Sequence, residues 1–467
     1  MPHSYIRKIH EDLVSKKVSV YDMVSQYLSR IQERDADIHA FLDVYKDDVL
    51  CEAARLDEKI KRGEEIGILE GIPLGVKDNI VTKGKKTTAG SKILENYIGA
   101  YDAFAVGRLK NEGMIMLGKT NLDEFGMGSS TENSAFGPTK NPHDTSRVPG
   151  GTSGGSAAAV AADMVPVALG TDTGGSIRQP ASFCGVVGFK PSYGRVSRNG
   201  LIAMASSFEQ IGPMTMSVED AEIVFRAMEG KDLLDMTSVE AHEAEPDLKT
   251  IAVGVPAEFM QEGLDEKIKA HLEMVFEKVK SPEIVFESIS LPHASKGLAA
   301  YYVIMPAEAS SNLARYDGVR FGERKAGETL LEAYKKTRAA GLGAEVKRRI
   351  LVGTYVLSHG YYDAYYVTAQ KMRTLIAKDF DQAFKKVDFV LTPTAPTLPF
   401  KFGEHMADPL SMYLQDIYTV IANLAGVPAI SIPAGTVEGL PVGIQLFAPR
   451  LKDYALLAAA KKVEAAL

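Results

Sequence analysis

The sequence has no tryptophan and few cysteines: Cys51 and Cys184 are the only two among 467 residues. Two thiols so far apart form neither a disulfide framework nor a CxxC site, and their scarcity fits a reducing compartment. Positive charge is not in excess. The formal net charge of −7 argues against a nucleic-acid footprint spread over the chain. Long apolar runs are missing too. The longest, around Ala157 to Gly170, is broken by Asp163 and Pro166 and is too short to span a bilayer. The N-terminal stretch MPHSYIRKIHEDL is charged and lacks the apolar centre of a signal peptide. HExxH, a cysteine cluster, paired-histidine spacing and an EF-hand loop are all absent, so no metal is expected. These absences predict a soluble cytoplasmic protein with no membrane contact.

What remains is ample for a large core. Hydrophobic residues make up 45% and charged residues 24%, a globular balance. Ser19 precedes apolar residues at Val20, Met23, Val24, Tyr27, Leu28 and Ile31, which predicts a capped amphipathic helix. Residues 47–62 predict a second. From about 70 to 215, glycine- and serine-rich loops alternate with short apolar strands, among them 114–117 and 165–169, which favours an α/β layered domain. Residues 230–250 are polar and acidic and look like a linker or long loop. Strands are expected at 251–256, 387–391, 424–433 and 440–446, with mostly helix over 300–380.

Several motifs compete for the chemistry. Gly113 to Thr120 spells G-x-x-x-x-G-K-[ST], but its middle residues are large and apolar, so it reads as a buried strand with a polar end, not a phosphate loop. Gly151-Thr152-Ser153-Gly154-Gly155 fits the G-x-S-x-G nucleophile elbow. That reading needs a later histidine. His242, His271, His293, His359 and His405 are available, none in a recognisable context. Gly174-Gly175-Ser176 is the sharper candidate. The N–H groups of Thr173, Gly174, Gly175 and Ser176 can form a nest for an oxyanion beside a nucleophilic hydroxyl. Lys77 follows the apolar run Gly-Ile-Pro-Leu-Gly-Val. Burial there would lower its pKa and let it serve as a base, unless it pairs with Asp78. Thr152 or Ser153 can relay a proton between the two, or cap the helix that the alanine run from 157 must form.

Together GIPLGVKDN, PGGTSGGSAAAVAA and GTDTGGSIRQPASFCGVVGFKPSYG resemble the amidase signature family in order and spacing. The resemblance implies a mixed, mostly parallel β-sheet sandwiched between helices, in one amidase domain over 1–467. Residues 1–65 would form an N-terminal helical segment, 70–215 the signature core, and 300–380 a helical insertion lining the substrate pocket. It also implies a Ser–Ser–Lys triad with Ser176 as nucleophile, Lys77 as base and Thr152 as the bridging residue. The family usually has serine there, next to a cis bond, so Ser153 stays open as the alternative.

The second half is similar to the glutaminase (A-type) subunits of bacterial tRNA-dependent amidotransferases. AEASSNLARYDGVRFG, GLGAEVKRRILVGTYVLSHGYYDAYY and MYLQDIYTVIANLAGVPAISIP carry that likeness. It implies that Arg349 binds the α-carboxylate of glutamine and Asp416 its α-ammonium, with Tyr301 in the same pocket. A guanidinium suits a carboxylate, and a zwitterion needs one pole of each sign. The likeness further implies no cofactor on this chain and two partners in an amidotransferase heterotrimer. ATP and Mg would act on the B-type partner, which also takes most contacts with misacylated tRNA, and a small C-type partner would clamp the pair. Members commonly run somewhat beyond the position of Leu467. A free-standing amidase for a small or aryl amide, and a catalytically silent scaffold, are the alternatives.

Overall fold

The computed structural model describes residues 4–241, 243, 248–260, 263–406 and 408–467. His242, part of the 230–250 stretch and the first three residues of the N-terminal reading lie outside them. Among the described residues eleven strands run in chain order: β1 (Phe41–Val44), β2 (Pro73–Lys77), β3 (Ile115–Thr120), β4 (Val167–Asp172), β5 (Val187–Lys190), β6 (Gln210–Thr215), β7 (Ile251–Pro256), β8 (Ile284–Ile289), β9 (Phe389–Pro393), β10 (Ala429–Val437) and β11 (Leu440–Phe447). They form one sheet in the order β1-β3-β2-β4-β6-β5-β10-β11-β9-β7-β8.

Helices cover both faces, so β2, β3, β4, β6 and β11 are buried at every position. That is why β3 and β4 open on the apolar runs Ile115-Met116-Leu117 and Val167-Ala168-Leu169 instead of alternating apolar with polar. Edge strand β8 instead keeps polar and exposed positions, which blunts an open edge. The sheet is mixed, as expected, but the expected majority of parallel pairs is not there. Parallel pairing is confined to β2 with β3 and β4, and β7 with β8 and β9; the other pairs are antiparallel.

The N-terminal helices follow the sequence closely. Val20–Ile38 is capped by Ser19, whose hydroxyl accepts from Asp22 N, and the next helix is Lys46–Lys61. The 300–380 region contains the helices Gly297–Asn312, Leu330–Gly341, Ala344–Val356 and Thr368–Ala383. The expected strand over 424–433 is a correction: Val420–Ala425 is a short helix ended by Gly426 at φ 71°, and β10 starts at Ala429. No helix among the described residues is long and apolar enough to cross a membrane.

Candidate active site

β2 and β4 run parallel as neighbours, with Val76 opposite Leu169, so their C-terminal ends deliver Lys77 and Thr171 to the same rim of the sheet. Carboxyl ends of parallel strands are where open α/β sheets assemble sites. The helix Gly154–Ala161, buried at every position but its last, begins at that rim. Its small side chains let it lie close against β2 and β4. It also brings Thr152 and Ser153 over Lys77.

Lys77 is 0% exposed. Its Nζ donates to Thr152 Oγ1 at 2.7 Å, Ser153 Oγ at 2.8 Å and Thr171 Oγ1 at 2.8 Å. Burial drives its pKa down to about 7, against the opposing fields of Asp123, Asp172 and Glu209. Asp78 is not its partner. The Asp78 carboxylate faces Lys119, 3.6 Å away, and accepts from Thr88 N. Lys119 is thus a buried strand residue of β3, and the phosphate-loop spelling has no loop behind it.

The two candidate bridging hydroxyls differ in occupancy. Ser153 Oγ accepts from Lys77 and from Thr171 N at 3.2 Å, and donates to Thr171 O at 3.1 Å. It makes no capping bond to the helix it precedes. No histidine among the described residues bonds it, so the nucleophile-elbow reading finds no base here. Thr152 Oγ1 accepts from Lys77 alone among the described residues. The Gly151–Thr152 peptide is cis.

Ser176 sits between β4 and the helix Arg178–Cys184. Its carbonyl accepts from Ser153 N at 3.1 Å, tying the two glycine loops together. Ser176 is half-buried and its hydroxyl makes no hydrogen bond to a described residue, so the structure does not join it directly to Thr152 or Lys77. The loop around it is shaped by Asp172. That carboxylate accepts from Gly175 N at 2.9 Å, Ile177 N at 3.3 Å, and Arg178 Nε and Nη2 at 3.0 Å each. Burial works against its charge, but Arg178 wins and holds its pKa at about 2. Gly175 N–H is therefore spent on Asp172, a correction to the four-donor nest. The N–H groups of Thr173, Gly174 and Ser176 have no acceptor among the described residues.

Gly175 has φ 134°, and a Cβ there would lie 2.2 Å from Thr419 Oγ1, so both conformation and space require glycine. At Gly174 the neighbour is Tyr301, whose hydroxyl would lie 2.7 Å from an added Cβ. Tyr301 thus closes one side of the loop that carries Ser176. Thr419 Oγ1 donates to Gly174 O at 2.5 Å and to Asp416 O at 3.1 Å, which links that loop to the Asp416 backbone.

Asp416 and Arg349 are both buried. Asp416 accepts from Tyr302 OH at 2.7 Å and Ser129 Oγ at 3.1 Å. Burial lifts its pKa to about 7, against those bonds and the Arg349 charge. Arg349 lies 5.4 Å from the Tyr302 ring centre and 5.3 Å from that of Tyr413. Its Nε donates to Glu345 Oε1 at 2.7 Å. The sequence does not single out Ser129, Tyr302, Glu345 or Tyr413. Glu345 alone leaves a signal, the i,i+4 spacing to Arg349 within a helical pattern.

Known proteins resemble the chain over nearly its whole length. The family described as Amidase matches residues 22–457. The A-type subunit of glutamyl-tRNA(Gln) amidotransferase from Trichormus variabilis is 53% identical, over 98% of this chain and 97% of the relative. The crystal structure of the equivalent protein, of the same name, from Thermotoga maritima is 41% identical, with TM-score 0.81 over 99% of this chain and 96% of that one. Native peptide amidase from Stenotrophomonas maltophilia shares the fold at 28% identity and TM-score 0.83, over 99% and 97% of the two chains. A buried lysine held by two adjacent hydroxyls beside a glycine-rich serine loop, within a match this long, has one meaning: the chain belongs to the amidase family.

Proposed function

We propose that this chain hydrolyses glutamine as the glutaminase subunit of a tRNA-dependent amidotransferase. Ser176 Oγ attacks the side-chain carboxamide. Its proton passes through Thr152 Oγ1 to the neutral amine of Lys77, and Lys77 returns a proton to the departing ammonia. The carbonyl oxygen, now an oxyanion, is met by the unspent N–H groups of Thr173, Gly174 and Ser176. Water then attacks the acyl-enzyme and gives its proton to Lys77, which returns it through Thr152 to Ser176 Oγ as the ester bond breaks and glutamate leaves.

Thr152 is favoured over Ser153 for the relay because all three hydrogen-bonding positions of Ser153 Oγ are occupied by Lys77 and Thr171. Arg349 is the cationic pole for the α-carboxylate, Asp416 the anionic pole for the α-ammonium, and Tyr301 a wall between them and the nucleophile. In this reading the ammonia passes to the B-type partner, which uses ATP and Mg2+ to amidate misacylated tRNA, and the C-type partner clamps the pair. The likeness to the Trichormus amidotransferase protein supports that assignment.

The observation that carries the reading is an amine wholly removed from water and titrating near 7, hydrogen-bonded at 2.7 Å to a hydroxyl on the loop that is tied to Ser176. A serine-reactive probe tests the nucleophile. Labelling of Ser176 that vanishes in Ser176→Ala, together with loss of ammonia release from glutamine, is expected. Labelling retained in that variant would remove Ser176 from the mechanism.

A further inference from the structure

Arg349 does not stand alone. It sits one turn after Glu345 on the helix Ala344–Val356, and Glu345 Oε1 takes its Nε proton at 2.7 Å. Glu345 also accepts from Arg348 Nη1 and, at 3.1 Å, from Tyr413 OH. Tyr413 in turn stacks on Tyr302 with ring centres 4.0 Å apart, and Tyr302 OH donates to Asp416. A continuous chain of contacts therefore runs Arg349–Glu345–Tyr413–Tyr302–Asp416. The start of the helix is itself fixed from the core, since Gly343 N donates to Glu124 Oε2 at 2.8 Å.

The guanidinium is thus held along one edge and flanked by rings. Nε is occupied, and Nη1 approaches Met305 Sδ at 3.8 Å. The remaining Nη protons have no oxygen acceptor among the described residues. Arg349 and Glu345 line a cavity of about 170 Å3 with Gly128, Asn133 and Tyr413. A guanidinium free to rotate would offer a carboxylate any of its edges; one pinned through Nε offers the Nη edge in a fixed direction.

We propose that Glu345 is a positioning residue for amide-donor recognition: it holds Arg349 by Nε so that the Nη edge is presented to the substrate's α-carboxylate. The inference rests on the reading of Arg349 as the carboxylate-binding pole. Glu345 never touches the substrate in this scheme. Its negative charge also balances Arg349 while the pocket is empty, so the arginine can stay buried between turnovers. Arriving carboxylate shares the guanidinium with Glu345 instead of displacing it, because the two use different edges.

The test compares glutamine with γ-aminobutyramide, which keeps the amino group and the amide but lacks the carboxylate. In Glu345→Ala the KM for glutamine should rise about tenfold, the scale of one charge-assisted hydrogen bond. The kcat for glutamine, and both constants for γ-aminobutyramide, should stay within about twofold of the parent, a change worth less than about 0.5 kcal/mol by the same conversion. Glu345→Gln, which still offers an oxygen to Nε, should fall between. Equal losses on both substrates would mean that Glu345 only supports the fold, and an unchanged glutamine KM would also overturn the proposal. If Glu345→Ala does not fold, Tyr413→Phe removes just the hydroxyl that steadies Glu345 and should raise the glutamine KM by about threefold, with the stack retained. Arg349→Ala separates the two levels. If it leaves the glutamine KM unchanged, the amino-acid reading of the pocket fails. If it raises that KM while Glu345→Ala and Tyr413→Phe do not, only the positioning role fails.

Discussion

At the scale of single residues, the site depends on groups whose charge states are shifted by burial. In the proposed mechanism Lys77 must be neutral to accept a proton, and with a pKa of about 7 it becomes so as pH rises through neutrality. The same proposal needs Asp416 ionised to hold an ammonium, and it too loses its proton near 7. Both requirements fail on the acid side. The pH profile of kcat/KM for glutamine should therefore fall below pH 7 with a slope steeper than one, since that constant reports the free enzyme. Asp416→Asn should return the slope to one, although its absolute activity is lower. A slope of one in the parent protein would leave only one of the two groups titrating there. The stability sign is separate. In the unfolded chain Lys77 keeps its proton up to about 10.4, so between 7 and that value the unfolded state binds more protons and folding becomes more favourable as pH rises. Below 7 the native state carries a buried ammonium at full cost. Lys77→Met removes it, so the gain in melting temperature over the parent should be larger at pH 6 than at pH 9, while activity is lost. The hydroxyls can be told apart in the same way. Thr152→Val preserves shape but not the relay and should cut kcat by about 100-fold or more, as loss of a positioned proton-transfer group does. A larger loss in Ser153→Ala than in Thr152→Val would reassign the relay to Ser153. The burial of Lys77 and the tight turn at Ser176 were readable because their signals are local: an apolar run before a lysine, glycines around a serine. That Asp172 takes Gly175 N was not, because a carboxylate three residues before a glycine turn has many possible donors, and only the folded loop selects one.

At the scale of elements, the strands and helices were readable where one physical signal dominated. The helix Val20–Ile38 has both a 3.6-residue apolar stripe and a serine cap, and it was legible to the residue at its start. Residues 424–433 carry no such stripe. Ile421, Ala422, Leu424, Ala429, Ile430 and Ile432 are all buried, so the run is apolar but for Asn423 and Ser431, and periodicity cannot separate a buried helix from a buried strand. The stop signals were Gly426 and Pro428, which divide the run into helix and strand. Pairing direction was also largely illegible: β10 and β11 meet across the short turn Glu438-Gly439, but the other antiparallel neighbours are joined by longer connections that leave no turn signature. The element most exposed to a single change is the turn from β4 into the helix Arg178–Cys184. Arg178 is fully buried and donates to Asp172, Thr419 O, Gln445 Oε1 and Asn423 Oδ1. Asp172→Asn leaves that guanidinium without its counter-charge. Removing one member of a buried pair typically costs about 3–5 kcal/mol, so denaturant unfolding should show a loss of that order, and Ser176 should label more slowly as its loop loosens. A variant as stable as the parent would mean that Asn423 and Gln445 suffice to hold the arginine.

At the scale of the whole molecule, the pocket is built from stretches that never meet in sequence. Ser129 reaches Asp416 across 287 positions, and Thr419 reaches Gly174 across 245. One chain read without homologues cannot supply such pairings, so Arg349 and Asp416 entered as charges carried over by resemblance, and their surroundings came only with the fold. The surroundings change what those charges predict. If the substrate is a zwitterion gripped at both poles, each pole lost should cost kcat/KM for glutamine roughly 10- to 100-fold, the range of a hydrogen bond to a charged group. Two independent grips would multiply. They are not independent here, because the Arg349 charge is part of what keeps the Asp416 carboxylate ionised. Arg349→Ala therefore damages its own pole and also raises the proton affinity of the other. The double variant, in which Asp416 is already absent, is spared that second loss. A double-mutant cycle on Arg349→Ala and Asp416→Ala should consequently show a combined effect smaller than the product of the single effects when measured near pH 7. The coupling should shrink at pH 9, where Asp416 is ionised whether or not the arginine is present. Strict multiplicativity at both pH values would mean that the two poles do not share one field, and that the pocket is wider than a single amino acid.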